Sequence, residues 1–269
     1  MSPTLRTLAA GLLCLAACSA PPTSPRAAEP VEVTLLTYNI HHGRGADGVI
    51  DLERQAAVIL ATGADLVALQ EVDVGTGRAG GVDQATELAR LTGMHHAFAE
   101  AMPYDGGSYG EALLSRWPLD AAATWPLPAS PGHEPRAAVV ARVTPPGHAG
   151  PLRVVGTHLD HTADDADRLA QVTALLGHLA RATPADLPTV LLGDLNARPD
   201  SAPMARLLGA GWTPADGALG PTYPAVGPDR KIDWILAAPG PVGGTLTDAE
   251  VLVEPLASDH APLRAVWRP

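Results

Sequence analysis

Cysteine is nearly absent: the chain of 269 residues has two, Cys14 and Cys18, both near its start. Beyond Cys18 the chain has no thiol for a disulfide, a closed cysteine zinc site or a nucleophilic cysteine, so its core must hold without covalent cross-links. Aromatic residues are sparse as well, at 4% with a single phenylalanine, which leaves aliphatic side chains and alanine to fill the core. Positive charge is short: 18 Lys and Arg stand against 29 Asp and Glu, a net charge of −11. That excess argues against gripping nucleic acid through a broadly basic surface, although a bound divalent cation can invert the field locally. HExxH is missing, which leaves a closed structural zinc site unexpected. No internal sequence repeat is visible.

The chain opens on a leader-like stretch. Arg6 precedes an apolar run over residues 8–17, too short to span a bilayer. The run ends in Leu15-Ala16-Ala17-Cys18, which resembles a bacterial lipobox and implies cleavage before Cys18 with lipid on its thiol. An ordinary signal peptide cut near Ala20 is the alternative. The expected organisation is a lipoprotein signal peptide over residues 1–18, a Pro/Ser/Ala-rich tether over 19–30 and one domain over 31–269. The protein is accordingly expected to be exported and lipid-anchored to the bacterial cell envelope, with simple secretion as the alternative. The lipid anchor is its one expected membrane contact, no protein partner is inferable, and a monomer is expected.

LLGDLNARP, residues 191–199, is the most informative segment. An apolar run breaks at Gly193 and delivers Asp194 and Asn196 at the mouth of a strand, on one face because Leu195 points back to the core. A carboxylate beside a carboxamide suits deprotonating and aligning a water; an ordinary strand-end turn is the bland alternative. The same arrangement recurs along the chain. Residues 31–39 (VEVTLLTYN) read as a strand ending at Asn39, residues 65–70 (DLVALQ) as a strand ending at Glu71, and residues 152–159 as a strand carrying His158. Further strands are expected over 110–114, 119–125, 136–143, 231–237, 247–254 and 263–267. Helices are expected after Asp51, with Leu52, Ala56, Ile59 and Leu60 on one side, over 84–91, and around 203–208. Another is expected after a Thr162 cap, with Leu169, Val172, Leu176 and Leu179 buried. Most strands are too closely spaced for βαβ units, which predicts two packed mixed sheets flanked by helices.

The polar strand ends supply Asn39, Glu71, His158, Asp194, Asn196, Asp233, Asp259 and His260. Glu71 with Asn39 and Asp259 is an oxygen set suited to a hard cation such as Mg²⁺. Two histidines and Asp233 add proton chemistry, because a carboxylate on one imidazole nitrogen fixes the tautomer and favours the cation. Together these groups are equipment for metal-assisted attack of water on phosphorus.

TYNIHHG (37–43), LQEVD (69–73), GTHLDH (156–161), GDLNARP (193–199), KIDWIL (231–236) and SDHAPL (258–263) resemble, in order, the motifs of the endonuclease/exonuclease/phosphatase superfamily. The resemblance implies a four-layered α/β sandwich and phosphoester hydrolysis with Mg²⁺ or Mn²⁺. It makes Glu71 the principal metal ligand, with Asn39 and Asp259 in or beside the coordination shell. It has Asp194 activating the water, Asn196 orienting it, and His260, held by Asp233, stabilising charge on the phosphate. His158 takes the position that serves the leaving group or the phosphate. Arg136 matches an arginine often found near the site, as a phosphate clamp or else a surface salt bridge. Tyr223 is a candidate to line the pocket, with loop packing the simpler reading. Asp160 either supports the site or starts a turn, and His41 and His42 read more simply as solvated loop residues than as metal neighbours. Glu111 stands where relatives usually carry Asn, an added carboxylate that could deter an anionic substrate or recruit a second cation. Basic, aromatic-interleaved loops of the kind that stack and clamp DNA are not seen.

The leading expectation is a phosphodiesterase or phosphatase acting on lipid headgroups or small phosphoesters. A nonspecific extracellular endonuclease is the alternative within the class, and a catalytically idle surface binding module is the alternative outside it.

Overall fold

The computed structural model describes residues 31–184, 187–215, 220–240 and 244–269. The expected leader, the tether and Cys18 lie outside the described residues. Among the described residues no helix is long and apolar enough to cross a membrane.

The first sheet uses β1 (Val33–Asn39), β2 (Leu66–Val74), β3 (His95–Tyr104), β4 (Gly107–Ser115), β11 (Thr245–Val251) and β12 (Leu263–Arg268), in the order β11-β12-β1-β2-β4-β3. The second uses β5 (Asp120–Leu127), β6 (Arg136–Val143), β7 (Leu152–His158), β8 (Thr189–Asp194), β9 (Thr213–Pro214) and β10 (Asp233–Ala237), in the order β5-β6-β7-β8-β10-β9. β1 runs parallel to β2 and β7 parallel to β8, while every other pairing is antiparallel. Each parallel pair is bridged by a helix, α1 (Leu52–Ala61) in the first sheet and α3 (Ala166–Arg181) in the second. After the parallel pair each half adds one more helix, α2 (Gln84–Thr92) or α4 (Ala202–Gly209), and returns to pair antiparallel with the same strand. The two halves therefore share one topology although no repeat is visible in the sequence. A hairpin, β11-β12 or β5-β6, completes each sheet on the far side.

Three apolar clusters stack these layers. Between the sheets, Leu35, Leu66, Ala68 and Leu113 meet Val139, Val154, Val190, Leu192 and Ile235. Outside the first sheet, Leu36, Val67 and Leu69 receive Ile59 and Leu88 from α1 and α2. Outside the second, Val155, Leu191 and Trp234 receive Val172, Leu175, Met204 and Leu207 from α3 and α4. The order helix–sheet–sheet–helix is the four-layered α/β sandwich expected from the sequence. Two caps set the helices of the first half. Asp51 accepts from the Arg54 amide to start α1, and Asp83 accepts from the Thr86 amide to start α2, which ends where Gly93 turns left-handed at φ 70°.

Several boundaries differ from expectation for identifiable reasons. Gly193 does not break its strand: it stays in β8, where a Cβ would sit 2.0 Å from the Thr157 carbonyl oxygen, so only glycine fits. The β3 strand was not expected, because its alternation is masked by His, Ala and Pro at a sheet edge where burial is partial. Leu60 is 53% exposed, being a neighbour in sequence of the buried Ile59 and so turned off its stripe. Leu169 is likewise exposed, and α3 begins at Ala166 after an Asp165 cap, since Thr162 is held in a turn by Asp160. The buried stretch of α3 includes Arg168 and Gln171, which donate to the Asp160 and Pro128 carbonyls.

Leu35 is fully buried between the sheets. Leu35→Ala should lower the unfolding free energy by about 2–5 kcal/mol, read from urea titration. A change within error of zero would mean that this interface does not carry the fold.

Candidate active site

Both parallel pairs point their C-terminal ends to the same side of the sandwich, and the catalytic candidates gather there in one cleft of about 430 Å³. Asn39 ends β1, Glu71 lies near the end of β2, His158 ends β7 and Asp194 ends β8. Asp233 begins β10 directly opposite Asp194, and the 258–260 loop reaches in just before β12.

Asn39 is fully buried and couples the two sheets. Its Nδ2 donates to Glu71 Oε1 at 3.0 Å and to Asp194 Oδ2 at 3.2 Å, while its Oδ1 accepts the His41 amide at 3.0 Å. Only this amide orientation serves both carboxylates and the backbone donor, so Asn39 faces the carboxylates with its nitrogen. Glu71 occupies a bulge in β2 and adopts φ 59°, a left-handed conformation that re-aims its side chain. Burial favours its protonated form, but His42 beside it and the Asn39 amide hold the carboxyl well below the usual range.

The two loop histidines read as solvated are not bystanders. His41 and His42 both take positive φ, 47° and 46°. His41 Nδ1 lies 3.7 Å from Asp259 Oδ1, and His42 Nδ1 lies 3.9 Å from Glu71 Oε2. His42 Nδ1 is buried and has no hydrogen-bond partner. Glu71, His41 and His42 each offer a donor atom within 4.8 Å of the others, a set that fits a divalent cation, with Asp259 beside it through His41.

Asp194 is the hub of the second sheet. Its Oδ1 accepts the Asn196 amide at 2.9 Å, and its Oδ2 lies 3.4 Å from His158 Nε2 and 3.6 Å from His260 Nε2. Burial, reinforced by the facing Asp233, pushes its pKa up to about 7 against the opposing pull of His260. His260 Nδ1 lies 3.0 Å from Asp233 Oδ2. Burial opposes the imidazolium, yet Asp233 and Asp194 overcome that and raise His260 to about 10. Asp233 is itself fixed by the Thr222 hydroxyl, which accepts its amide at 3.2 Å.

His158 is neutral, because burial and the neighbouring Arg136 both depress it well below the usual imidazole range. Two donors face the ring, Arg136 Nη1 at 3.1 Å from Nδ1 and Asn196 Nδ2 at 3.0 Å from Nε2, and a neutral imidazole accepts from one of them only. Asn196, at φ 47°, donates from Nδ2 to the Leu159 carbonyl and lies 3.0 Å from that Nε2. Arg136 is buried rather than a surface salt bridge: Glu134, His158 and His161 surround its guanidinium at 2.8, 3.1 and 3.2 Å. Tyr223 lines the cleft with its ring 4.6 Å from that of His260. Asp160 is not in the cleft; its Oδ1 holds the Thr162 turn.

Glu111 is fully buried, and neither carboxyl oxygen has a hydrogen-bond partner. Burial raises its pKa well above the usual range, with Arg136 opposing and Glu71 and Asp194 reinforcing. Burial therefore works against its carboxylate form, and it does not line the cleft.

The cationic and aromatic wall was not foreseen from the sequence. Arg78 stacks over Tyr104 at 4.4 Å and Tyr109 at 5.6 Å, and Arg230 stacks over Tyr223 at 4.3 Å. All five line the cleft. Each arginine is far in sequence from the ring it covers or sits in a short loop, so no basic-aromatic alternation advertised the pairs. The arrangement puts three arginines, counting Arg136, around a metal-suited carboxylate set inside an acidic protein.

Fold and site together define a hydrolase of phosphoester bonds. The chain belongs to the endonuclease/exonuclease/phosphatase family, whose model matches residues 36–260, a family of divalent-metal-dependent enzymes acting on such bonds. No curated protein is significantly similar in sequence. Among solved structures, an endonuclease/exonuclease/phosphatase from Beutenbergia cavernae is 28% identical with TM-score 0.73, over 88% of this chain and 71% of that one. A mannosyl-6-phosphatase from Bacteroides thetaiotaomicron is 16% identical with TM-score 0.71, over 87% and 98%. The human Nocturnin catalytic domain with bound sulfate is 19% identical with TM-score 0.66, over 87% and 93%. At those last two identities the likeness is one of fold.

Replacing Asp233 by Asn should leave His260 without its main counter-charge. In the metal-free protein its NMR titration should then move down from about 10 by more than a unit. An unchanged midpoint would mean that Asp233 does not set the imidazolium.

Proposed function

We propose that the protein is an exported, lipid-anchored, Mg²⁺- or Mn²⁺-dependent phosphohydrolase that cleaves small phosphoesters or lipid headgroups. The observation that carries this reading is the setting of Asp194, a buried carboxylate raised to about 7 and flanked by Asn39, Asn196, His158 and His260. A carboxylate poised near neutrality accepts a proton from water and, once protonated, is not trapped.

In this reading Glu71 and Asp259 hold the cation, with Asn39 fixing Glu71 from beside the shell and His41 and His42 flanking it. When bound, the ion supplies Lewis acidity at the phosphoryl oxygen and charge neutralisation as the bond breaks. Water sits between Asp194 and the Asn196 amide. Asp194 takes its proton as the oxygen bonds to phosphorus, and the ester oxygen leaves. The His260 imidazolium, kept charged by Asp233, faces the growing negative charge on the phosphate. His158 faces the same space, its Nε2 3.4 Å from Asp194 Oδ2, with Arg136 against its other nitrogen. The nuclease reading is favoured by one observation, the Arg78–Tyr104 and Arg230–Tyr223 pairs, which are platforms on which a base can stack.

The protein should lose activity with EDTA and regain it with Mg²⁺ or Mn²⁺, and Asp194→Asn should lower turnover by about a hundred- to ten-thousand-fold. The panel to read is p-nitrophenyl phosphate, bis-p-nitrophenyl phosphate, sphingomyelin, phosphoinositides, RNA and plasmid DNA. Cleavage of nucleic acid alone would replace the proposal by the nuclease reading. Silence on every substrate with metal bound would favour the idle binding module.

A further inference from the structure

A second group of ligand-type side chains lies behind the wall of the cleft. His133 is in the loop before β6, Asp160 in the turn after β7 and Asp167 in the first turn of α3. One donor atom from each lies within 4.8 Å of the others. Asp167 is satisfied: Ser130 donates its hydroxyl at 2.6 Å and its amide at 2.9 Å, and His133 Nδ1 lies 2.7 Å from Oδ2. Asp160 is not. It is 1% exposed, its Oδ1 is used by the Thr162 amide and hydroxyl, and its Oδ2 has no hydrogen-bond partner. That orphaned oxygen lies 3.6 Å from His133 Nδ1, whose single proton can serve only one of the two carboxylates.

We propose that His133 Nδ1, Asp160 Oδ2 and Asp167 Oδ2 form a second divalent-cation site, distinct from the Glu71 centre. A cation in place of the imidazole proton is shared by all three donors, whereas the proton leaves one buried carboxylate oxygen unpaired, which is costly. One imidazole nitrogen with two carboxylate oxygens, and no thiolate, suits Zn²⁺ or Mn²⁺ better than Ca²⁺ or Mg²⁺. Tetrahedral Zn²⁺ sites space such donors about 3.4 Å apart. The His133–Asp160 spacing already matches, and the His133–Asp167 hydrogen bond opens to admit the ion.

The site's place gives it a role. Glu134, next to His133, pairs with Arg136 Nη1 at 2.8 Å, and His161, next to Asp160, meets Arg136 Nη2 at 3.2 Å. A cation at this point ties together the two loops that hold Arg136 and the start of α3. It is a structural clamp on the cleft wall, and no proton transfer passes through it.

The probe is Zn²⁺ alone, read as bound metal per chain after equilibrium dialysis. Glu71→Gln, which disables the catalytic centre, should still retain Zn²⁺, and adding Asp160→Asn, isosteric and still able to hold the turn, should remove it. Equal retention by the single and double variants overturns the proposal. Should either variant fail to fold, crystals of the unaltered protein soaked in Zn²⁺ decide the matter. An anomalous peak between the three side chains supports the site; Zn²⁺ peaks elsewhere with none there overturn it.

Discussion

Two carboxylates, Asp194 and Asp233, face each other across the β8–β10 pairing in the interior of the protein. Like charges directly opposite on adjacent strands are unfavourable, and burial makes them more so. The structure resolves the conflict by inserting His260, with Nδ1 on Asp233 and Nε2 towards Asp194. The imidazolium is favoured by both neighbours, and Asp194, with its pKa raised to about 7, is left as the group that takes up protons. Much else serves this arrangement. Ser258 binds the Asn39 carbonyl at 2.7 Å and so fixes the loop carrying His260 to the other sheet. Thr222 anchors Asp233 and the Tyr223 loop together.

The shared topology of the two halves explains why the chemistry lies at a seam. Parallel strands end on the same side, and each half contributes the ends of one parallel pair: Asn39 and Glu71 from the first, His158 and Asp194 from the second. The halves have diverged in what those ends carry. The first offers carboxylate and imidazole suited to a cation, the second a base, an amide and the His158 imidazole. Asn39 is the hinge between the two chemistries, since its one amide group hydrogen-bonds Glu71 and Asp194 at once. The β11-β12 hairpin arrives from the far end of the chain to close the first sheet, so the site is complete only when both termini of the domain have folded together.

Much of this was legible in the sequence because a strand that ends in a polar residue announces itself. Asn39, Glu71, His158, Asp194, Asn196, Asp233, Asp259 and His260 all read as strand-end groups, and all but Asn39 and Asp233 line the same cleft, with Asn39 hydrogen-bonded to Glu71 and Asp194 and Asp233 directly behind His260. What could not be read were properties that depend on neighbours distant in sequence. The orientation of the Asn39 amide follows from His41 and two carboxylates. The Arg78–Tyr104 stack joins a loop to an edge strand. Glu111 appears in sequence as added charge, yet full burial opposes its ionisation. The repeat of topology was invisible because the side chains of the two halves share no pattern beyond apolar strands.

In the proposed mechanism, water deprotonated by Asp194 attacks phosphorus directly. The measurement that tests this step is a single turnover, with enzyme in excess over a cleaved phosphoester, in water carrying a heavy oxygen isotope. Direct attack predicts one heavy oxygen in the phosphate product and none in the alcohol or in the protein. Label in the alcohol, or in an Asp194 carboxylate with an unlabelled phosphate, would contradict direct attack.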